Sequence, residues 1–238
     1  MALIDNLVTY YKFDQTSGNA TDSVGSLTAT NVGMTYTSGK INNGASSGTS
    51  GANYFETTSV LSETQINTGW SIQMWLNFNA LPGAGVYARY HQTFATASGG
   101  KRGFDLHYLG GTGASTGFGL RVVGATLPEY NSGVNVTAGT WNHVVTTYDG
   151  STIKIYLNGT QILSQASVSF TVRGDALNTF TNWFASQRID TTYAIGDEAA
   201  VWTRAINSTE VSQLYNAGSG VQHPFSVYFS RLTLLGVG

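Results

Sequence analysis

The sequence predicts an all-β chain: two stacked antiparallel sheets with one short C-terminal helix. Three observations carry this. The run Trp70-Ser71-Ile72-Gln73-Met74-Trp75-Leu76-Asn77-Phe78 puts Trp70, Ile72, Met74, Leu76 and Phe78 on one face and Ser71, Gln73, Trp75 and Asn77 on the other, the period of two that a strand imposes. Two hairpin dipeptides, Asp149-Gly150 and Asn158-Gly159, bracket a second alternating run from Thr152 to Leu157. The 29 glycines accompany only one persuasive helix signal, which favours strands and tight turns.

The elements follow in chain order. Leu7-Val8-Thr9-Tyr10-Tyr11-Lys12-Phe13 is a first strand, rich in β-branched and aromatic residues. It ends at Asp14-Gln15-Thr16-Ser17-Gly18, where Asp can cap its own backbone and Gly can take positive φ. Residues 22–53 are mostly Ser, Thr, Gly and Asn, yet Leu27, Val32, Met34, Tyr36 and Ile41 are spaced like short, loosely alternating strands. Residues 82–103, with Tyr87, Arg89, Tyr90 and His91, read as an elaborated loop with short strands. Phe104 to Tyr108 and Phe118 to Val123 form a hairpin around a glycine-rich connection, Gly110 to Gly117. Trp141 to Tyr148, Thr152 to Leu157 and Thr160 to Leu163 make a three-stranded meander joined by two type I′ turns. A late strand covers Asp197 to Trp202. The helix follows, with Asn207 as N-cap, Glu210 three residues on, Val211, Leu214 and Tyr215 on one stripe, and Gly218 as terminator. A last strand-like run, Phe225 to Leu235, lies in an extension, residues 219–238, beyond a domain spanning 1–218.

Composition narrows the function classes. Only 10% of residues are charged, against about 25% in an ordinary soluble domain, so solubility comes from Ser, Thr, Asn and Gly. The net charge is −2 and the 11 basic residues form no cluster, which argues against a nucleic-acid partner. Without cysteine there is no disulfide, thiol nucleophile or thiolate metal site. Met1 to Asn6 lacks the basic region and long apolar run of a signal peptide. No apolar stretch nears the ~18 residues of a membrane span, so no membrane partner is expected. The sequons at Asn19, Asn135, Asn158 and Asn207 read as chance in an Asn/Thr-rich chain.

Three separated motifs resemble one known family. Tyr10-Tyr11-Lys12-Phe13-Asp14 with Gly18 and Asp22-Ser23-Val24-Gly25 is similar to the first strand and turn of laminin-G-like domains in the concanavalin A-like lectin/glucanase superfamily. Trp141-Asn142-His143-Val144 through Tyr148-Asp149-Gly150, then Tyr156-Leu157-Asn158-Gly159, resembles its central meander. Gly196-Asp197-Glu198, Val201-Trp202-Thr203-Arg204-Ala205-Ile206 and the closing helix resemble its C-terminal signature. The resemblance covers roughly residues 7–218 and implies a two-sheet jelly roll. It is of the kind found in tailed-phage structural proteins.

That resemblance raises three chemistries. Hydrolase relatives need two carboxylates about 5–5.5 Å or ~6.5–9.5 Å apart, supplied by an alternating E-x-D-x-E strand. Glu56, Glu63, Glu129, Glu198 and Glu210 have no such neighbour, and Asp197 and Glu198, being adjacent, are expected on opposite strand faces, so no catalysis is expected. His91, His107, His143 and His223 are isolated, and His143 reads as a structural residue of a sheet strand. Many related domains hold a structural calcium where the first and last strands meet. The resemblance brings Asp14, Asp22 and Asp197 to that neighbourhood, although Asp14 and Asp22 also suit turns and Asp197 a local pairing. Sugar recognition would use aromatic faces and planar polar groups. The candidates are Tyr87, Tyr90 and His91 in one loop and Trp183, Arg188 and Tyr193 in another, with core packing as each one's alternative. The 29 aromatics exceed what a core needs.

The reading is a non-catalytic virion surface protein, a phage capsid decoration or fibre. Residues 219–238 would then anchor it to other virion proteins or to itself, as a trimer formed by edge pairing, with host-surface glycan as a further partner. The alternative is a soluble, secreted or extracellular bacterial glycan-binding lectin domain that needs no cofactor.

Overall fold

The alternating runs become strands, and the strands form two sheets. The computed structural model describes residues 1–48, 53–58, 61–97, 100–123, 128–170, 181–184 and 194–225. In chain order these hold β1 (Leu7–Tyr11), β2 (Thr30–Val32), β3 (Thr35–Ser38), β4 (Asn43–Ser46), β5 (Tyr54–Thr58), α1 (Glu63–Thr68), β6 (Trp70–Phe78), β7 (Tyr87–Ala97), β8 (Gly100–Leu109), β9 (Gly117–Val123) and β10 (Glu129–Asn131). There follow β11 (Trp141–Tyr148), β12 (Ile153–Leu157), β13 (Thr160–Gln165), β14 (Thr181–Phe184), β15 (Ala194–Trp202) and α2 (Ser208–Tyr215). The first sheet runs β13-β12-β11-β6-β15-β4-β3 with β1 also on β15; the second runs β10-β9-β8-β7-β14-β5-β2. The pairings are antiparallel. The result is an all-β, jelly-roll-like sandwich.

The core lies between the sheets. The inward face of β6 supplies Trp70, Ile72, Met74, Leu76 and Phe78, all buried against Phe104, Leu106, Tyr108, Phe118 and Leu120 of the second sheet. Trp70 stacks on Phe104 at 4.4 Å with ring planes 2° apart. Burying an indole removes about 200 Å² from water, on the order of 5 kcal/mol by area before entropy is counted.

A second, smaller cluster covers the outer face of the first sheet. Tyr10, Val145, Tyr156 and Trp202 pack there against Ile206, Val211 and Leu214. The helix that closes this cluster is started by a reciprocal cap. Asn207 accepts from the Glu210 N–H at 3.0 Å, Glu210 accepts from the Asn207 N–H at 2.8 Å, and Arg204 grips Glu210 at 2.6 and 2.9 Å. Asn216, in the left-handed region at φ 48°, takes the capping position that the sequence assigned to Gly218.

Several local expectations are corrected. Within 82–103, residues 87–97 and 100–103 are long strand rather than loop: β7 pairs with β8 from Tyr87↔Leu109 to Ala97↔Gly100. A second helix, α1, is present, capped reciprocally by Ser62 and Gln65. Asn158 (φ 51°) and Gly159 (φ 81°) do form the tight left-handed turn. At the other turn only Gly150 is left-handed, because Asp149 Oδ1 accepts from the Ser151 and Thr152 N–H groups and holds a longer loop.

The largest correction is at β15. Its register shifts between Asp197 and Ala200, with Glu198 at φ 53°. This bulge turns both carboxyls to the outer layer rather than to opposite faces. Asp197 accepts from the Lys40 and Ile41 N–H groups. Glu198 accepts from the Tyr10 hydroxyl and from Gln222. Gln222 also bonds Asp14 at 3.0 Å, so residues 219–225 continue along this outer face. The strand-like run expected from Phe225 lies, from residue 226 onward, outside the described residues.

Candidate ligand-binding face

Strand alternation on the second sheet sends Phe104, Leu106 and Tyr108 inward and Asp105 and His107 outward. Neighbouring strands add Tyr87 and Arg89 from β7, Arg121 from β9, and Glu129 and Asn131 from β10, in register: Arg89↔His107, Asp105↔Arg121, Arg121↔Glu129. Four strands thus bring one polar network to a single face.

Asp105 is its centre. Its carboxylate accepts from Arg121 Nη2 at 2.6 Å and Nε at 3.0 Å, and from Arg89 Nε at 3.3 Å. It also contacts His107 Nδ1 at 2.9 Å. Burial alone would raise its pKa, but His107 and the two guanidinium groups hold it below the usual carboxylate range. His107 Nε2 faces Asn131 Oδ1 at 2.9 Å, while Asn131 donates to Glu129 Oε1 at 2.6 Å. Tyr87 donates to Glu129 Oε2 at 2.6 Å, and burial plus that bond push its pKa to about 12. Arg89 and Arg121 lie 5.0 and 5.3 Å from the Tyr87 ring centroid, within cation–π reach.

The inner members, Asp105, Arg89 and His107, are buried, whereas Tyr87, Arg121, Glu129 and Asn131 are half-exposed. Arg121 Nη1 has no hydrogen-bond partner among the described residues, and each Glu129 oxygen, holding one bond, has a second lone pair to offer. Gly119 makes the arrangement possible, because a Cβ there would collide with Asn131 Oδ1 and crowd His107 Nε2.

The residues singled out from sequence fall in different places. Tyr87 joins this face. Tyr90 and His91 do not: a bulge between Arg89 and His91 turns both into the sandwich, where they are 3% and 0% exposed. Burial pushes the His91 pKa down to about 3. Trp183 is placed only as backbone of β14, paired with Gln92 and Glu56, and Arg188 and Tyr193 lie outside the described residues. Arg89, Asp105, His107, Arg121, Glu129 and Asn131 were missed. Alternation marked Asp105, His107 and Arg121 as one side of their strands, but no sequence signal aligns the strands.

The aspartates suggested for calcium do not form one donor set. Asp22 accepts from the Tyr10 and Val24 N–H groups. Asp197 accepts from the N–H groups of Lys40, Ile41 and Glu198, and burial raises its pKa to about 9. Among the described residues no three His or acidic side chains converge as metal ligands. Asp197 and Glu198, both fully enclosed, have no access to a glycosidic bond, and the described residues hold no other catalytic grouping.

Fold and face together define a lectin-like β-sandwich. The chain belongs to the concanavalin A-like lectin/glucanases superfamily, whose laminin-G-type model matches residues 47–212. No curated protein matches by sequence. Among solved structures, it is similar to domain 4 of AbnA, an extracellular arabinanase from Geobacillus stearothermophilus, solved with arabinotriose. Identity is 17%, TM-score 0.66, with 87% of this chain and 97% of that domain covered. It is also similar to the binding domain of Paraclostridial Mosquitocidal Protein 1 (15%, TM-score 0.69, 91% and 53%). A third is the binding domain of botulinum neurotoxin DC in complex with SialylT (13%, TM-score 0.68, 91% and 52%). The chain spans about half the length of those two toxin binding domains. At these identities the likeness is one of fold.

Proposed function

We propose that this chain is a non-catalytic glycan-binding domain that holds an oligosaccharide on the outer face of the second sheet. The observation that supports this is the prearranged network around Asp105, which fixes Arg121, Glu129 and Asn131 as planar polar groups at a half-exposed surface beside Tyr87. Such groups, locked before a ligand arrives, cost little entropy on binding and match the paired hydroxyls of a sugar. The arabinanase domain solved with arabinotriose and the toxin domain solved with SialylT make an extracellular setting the favoured one. Placement on a virus particle draws no support from these relatives. On this reading side chains of the network contact the sugar directly, without a bridging metal.

A glycan array tests the proposal. The intact chain should bind a defined subset of oligosaccharides, and Arg121→Gln and Asn131→Ala should each weaken that binding at least about tenfold, roughly 1.4 kcal/mol, while remaining folded by circular dichroism. Equal binding by the folded variants would place the ligand elsewhere.

A further inference from the structure

A cavity of about 260 Å³ opens on the outer face of the first sheet, where the β11–β12 hairpin meets the start of α2. We propose that it is a second binding site, separate from the second-sheet face, for a single uncharged monosaccharide unit. Thr147 and Lys154 are direct cross-strand partners, Tyr156 follows two residues on from Lys154, and Asp149 stands in the turn between the strands. Asn207 and Ser208 close the far wall.

The polar groups lining it are unspent. Thr147 and Tyr156 are only 3% and 4% exposed. No hydrogen bond within the described residues engages either hydroxyl, and both remain accessible from the cavity. Asp149 commits Oδ1 to Ser151 and Thr152 and leaves Oδ2 available. Lys154 attracts Asp149 without forming a close ion pair with it. The cavity therefore presents two hydroxyls that can donate or accept, one carboxylate acceptor and one ammonium donor. Their charges cancel, so a ligand need carry none, and this set suits the vicinal hydroxyls of a pyranose. At about 30 Å³ per water, the space would hold roughly nine waters. That is room for one sugar ring, with any further units of a longer glycan lying outside the opening.

The test is an amide NMR titration of the full chain with methyl α-D-glucopyranoside, methyl β-D-galactopyranoside and methyl α-D-mannopyranoside. At least one should shift the amides of residues 147–156 and 205–208 saturably. The double variant Thr147→Val/Tyr156→Phe, which keeps both side-chain shapes, should weaken that binding by about tenfold or more. Arg121→Gln should leave it unchanged, so failure of the second-sheet proposal would be seen separately. No saturable shift at these amides with any of the three glycosides, or equal affinity in a folded double variant, would overturn the site.

Discussion

Gly119 shows how one residue decides a surface. Its missing side chain leaves the space in which Asn131 reaches His107. Gly119→Ala would push β10 from β9, with an expected cost of about 1–3 kcal/mol, the range for an overpacked site. Thermal unfolding checks this, and an unchanged Tm would mean that β10 yields freely. Titration belongs at this scale too. Burial, reinforced by the neighbouring Glu198 charge, raises Asp197 to about 9, while burial raises Glu198 to about 7 and lowers His91 and His143 to about 3. The folded state keeps carboxyl protons that the unfolded chain releases near pH 4, so these two groups stabilise less as pH rises. The histidines act oppositely below about pH 6.5, and the two effects offset between roughly pH 4.5 and 6.5. Above pH 7 Glu198 completes its titration by about pH 8, and of these four groups Asp197 carries most of the remaining difference between the states. Stability should fall by on the order of 2 kcal/mol from about pH 7 to 9, roughly 5 °C in Tm. Asp197→Asn should flatten that slope, and a wild-type Tm constant over the window would contradict the assignment. His143, read from sequence as structural, is buried beside Trp75 at 5.0 Å and bonded to Gln73.

Elements were legible where their signals are local. The meander was marked by its two glycine dipeptides and α2 by Asn207 with Glu210, because turns and caps are contracts between residues two or three apart. The same cap pattern, Ser62 with Gln65, marked α1 and went unread. The bulges in β7 and β15 were not legible. A register shift depends on the partner strand, and one extra residue reverses which side chains face out. That is why Tyr90 and His91 were assigned to a binding loop, and why Asp197 and Glu198 were expected on opposite faces. The cap of α2 should carry measurable weight: Asn207→Ala removes the bond to the Glu210 N–H and should cost about 1 kcal/mol, about 3 °C in Tm. An unaltered Tm would show that Arg204 alone holds the helix start.

For the molecule as a whole, the sandwich followed from alternation and turns, but the candidate face required the strands to be aligned. Tyr87 and Glu129 stand 42 residues apart and meet only because β7, β8, β9 and β10 pair in one register. Composition could count surplus aromatics without saying which were exposed. Many of the largest are spent in the core, with Trp70, Trp75 and Trp202 fully buried. The face is instead built mainly from charged and amide groups. The most direct test of a binding, non-catalytic role is calorimetric titration with an array-positive oligosaccharide in buffer containing EDTA, followed by chromatography of the recovered sugar. The expected result is saturable binding with the oligosaccharide recovered intact. Shortened products, or binding that returns only when calcium is restored, would contradict it.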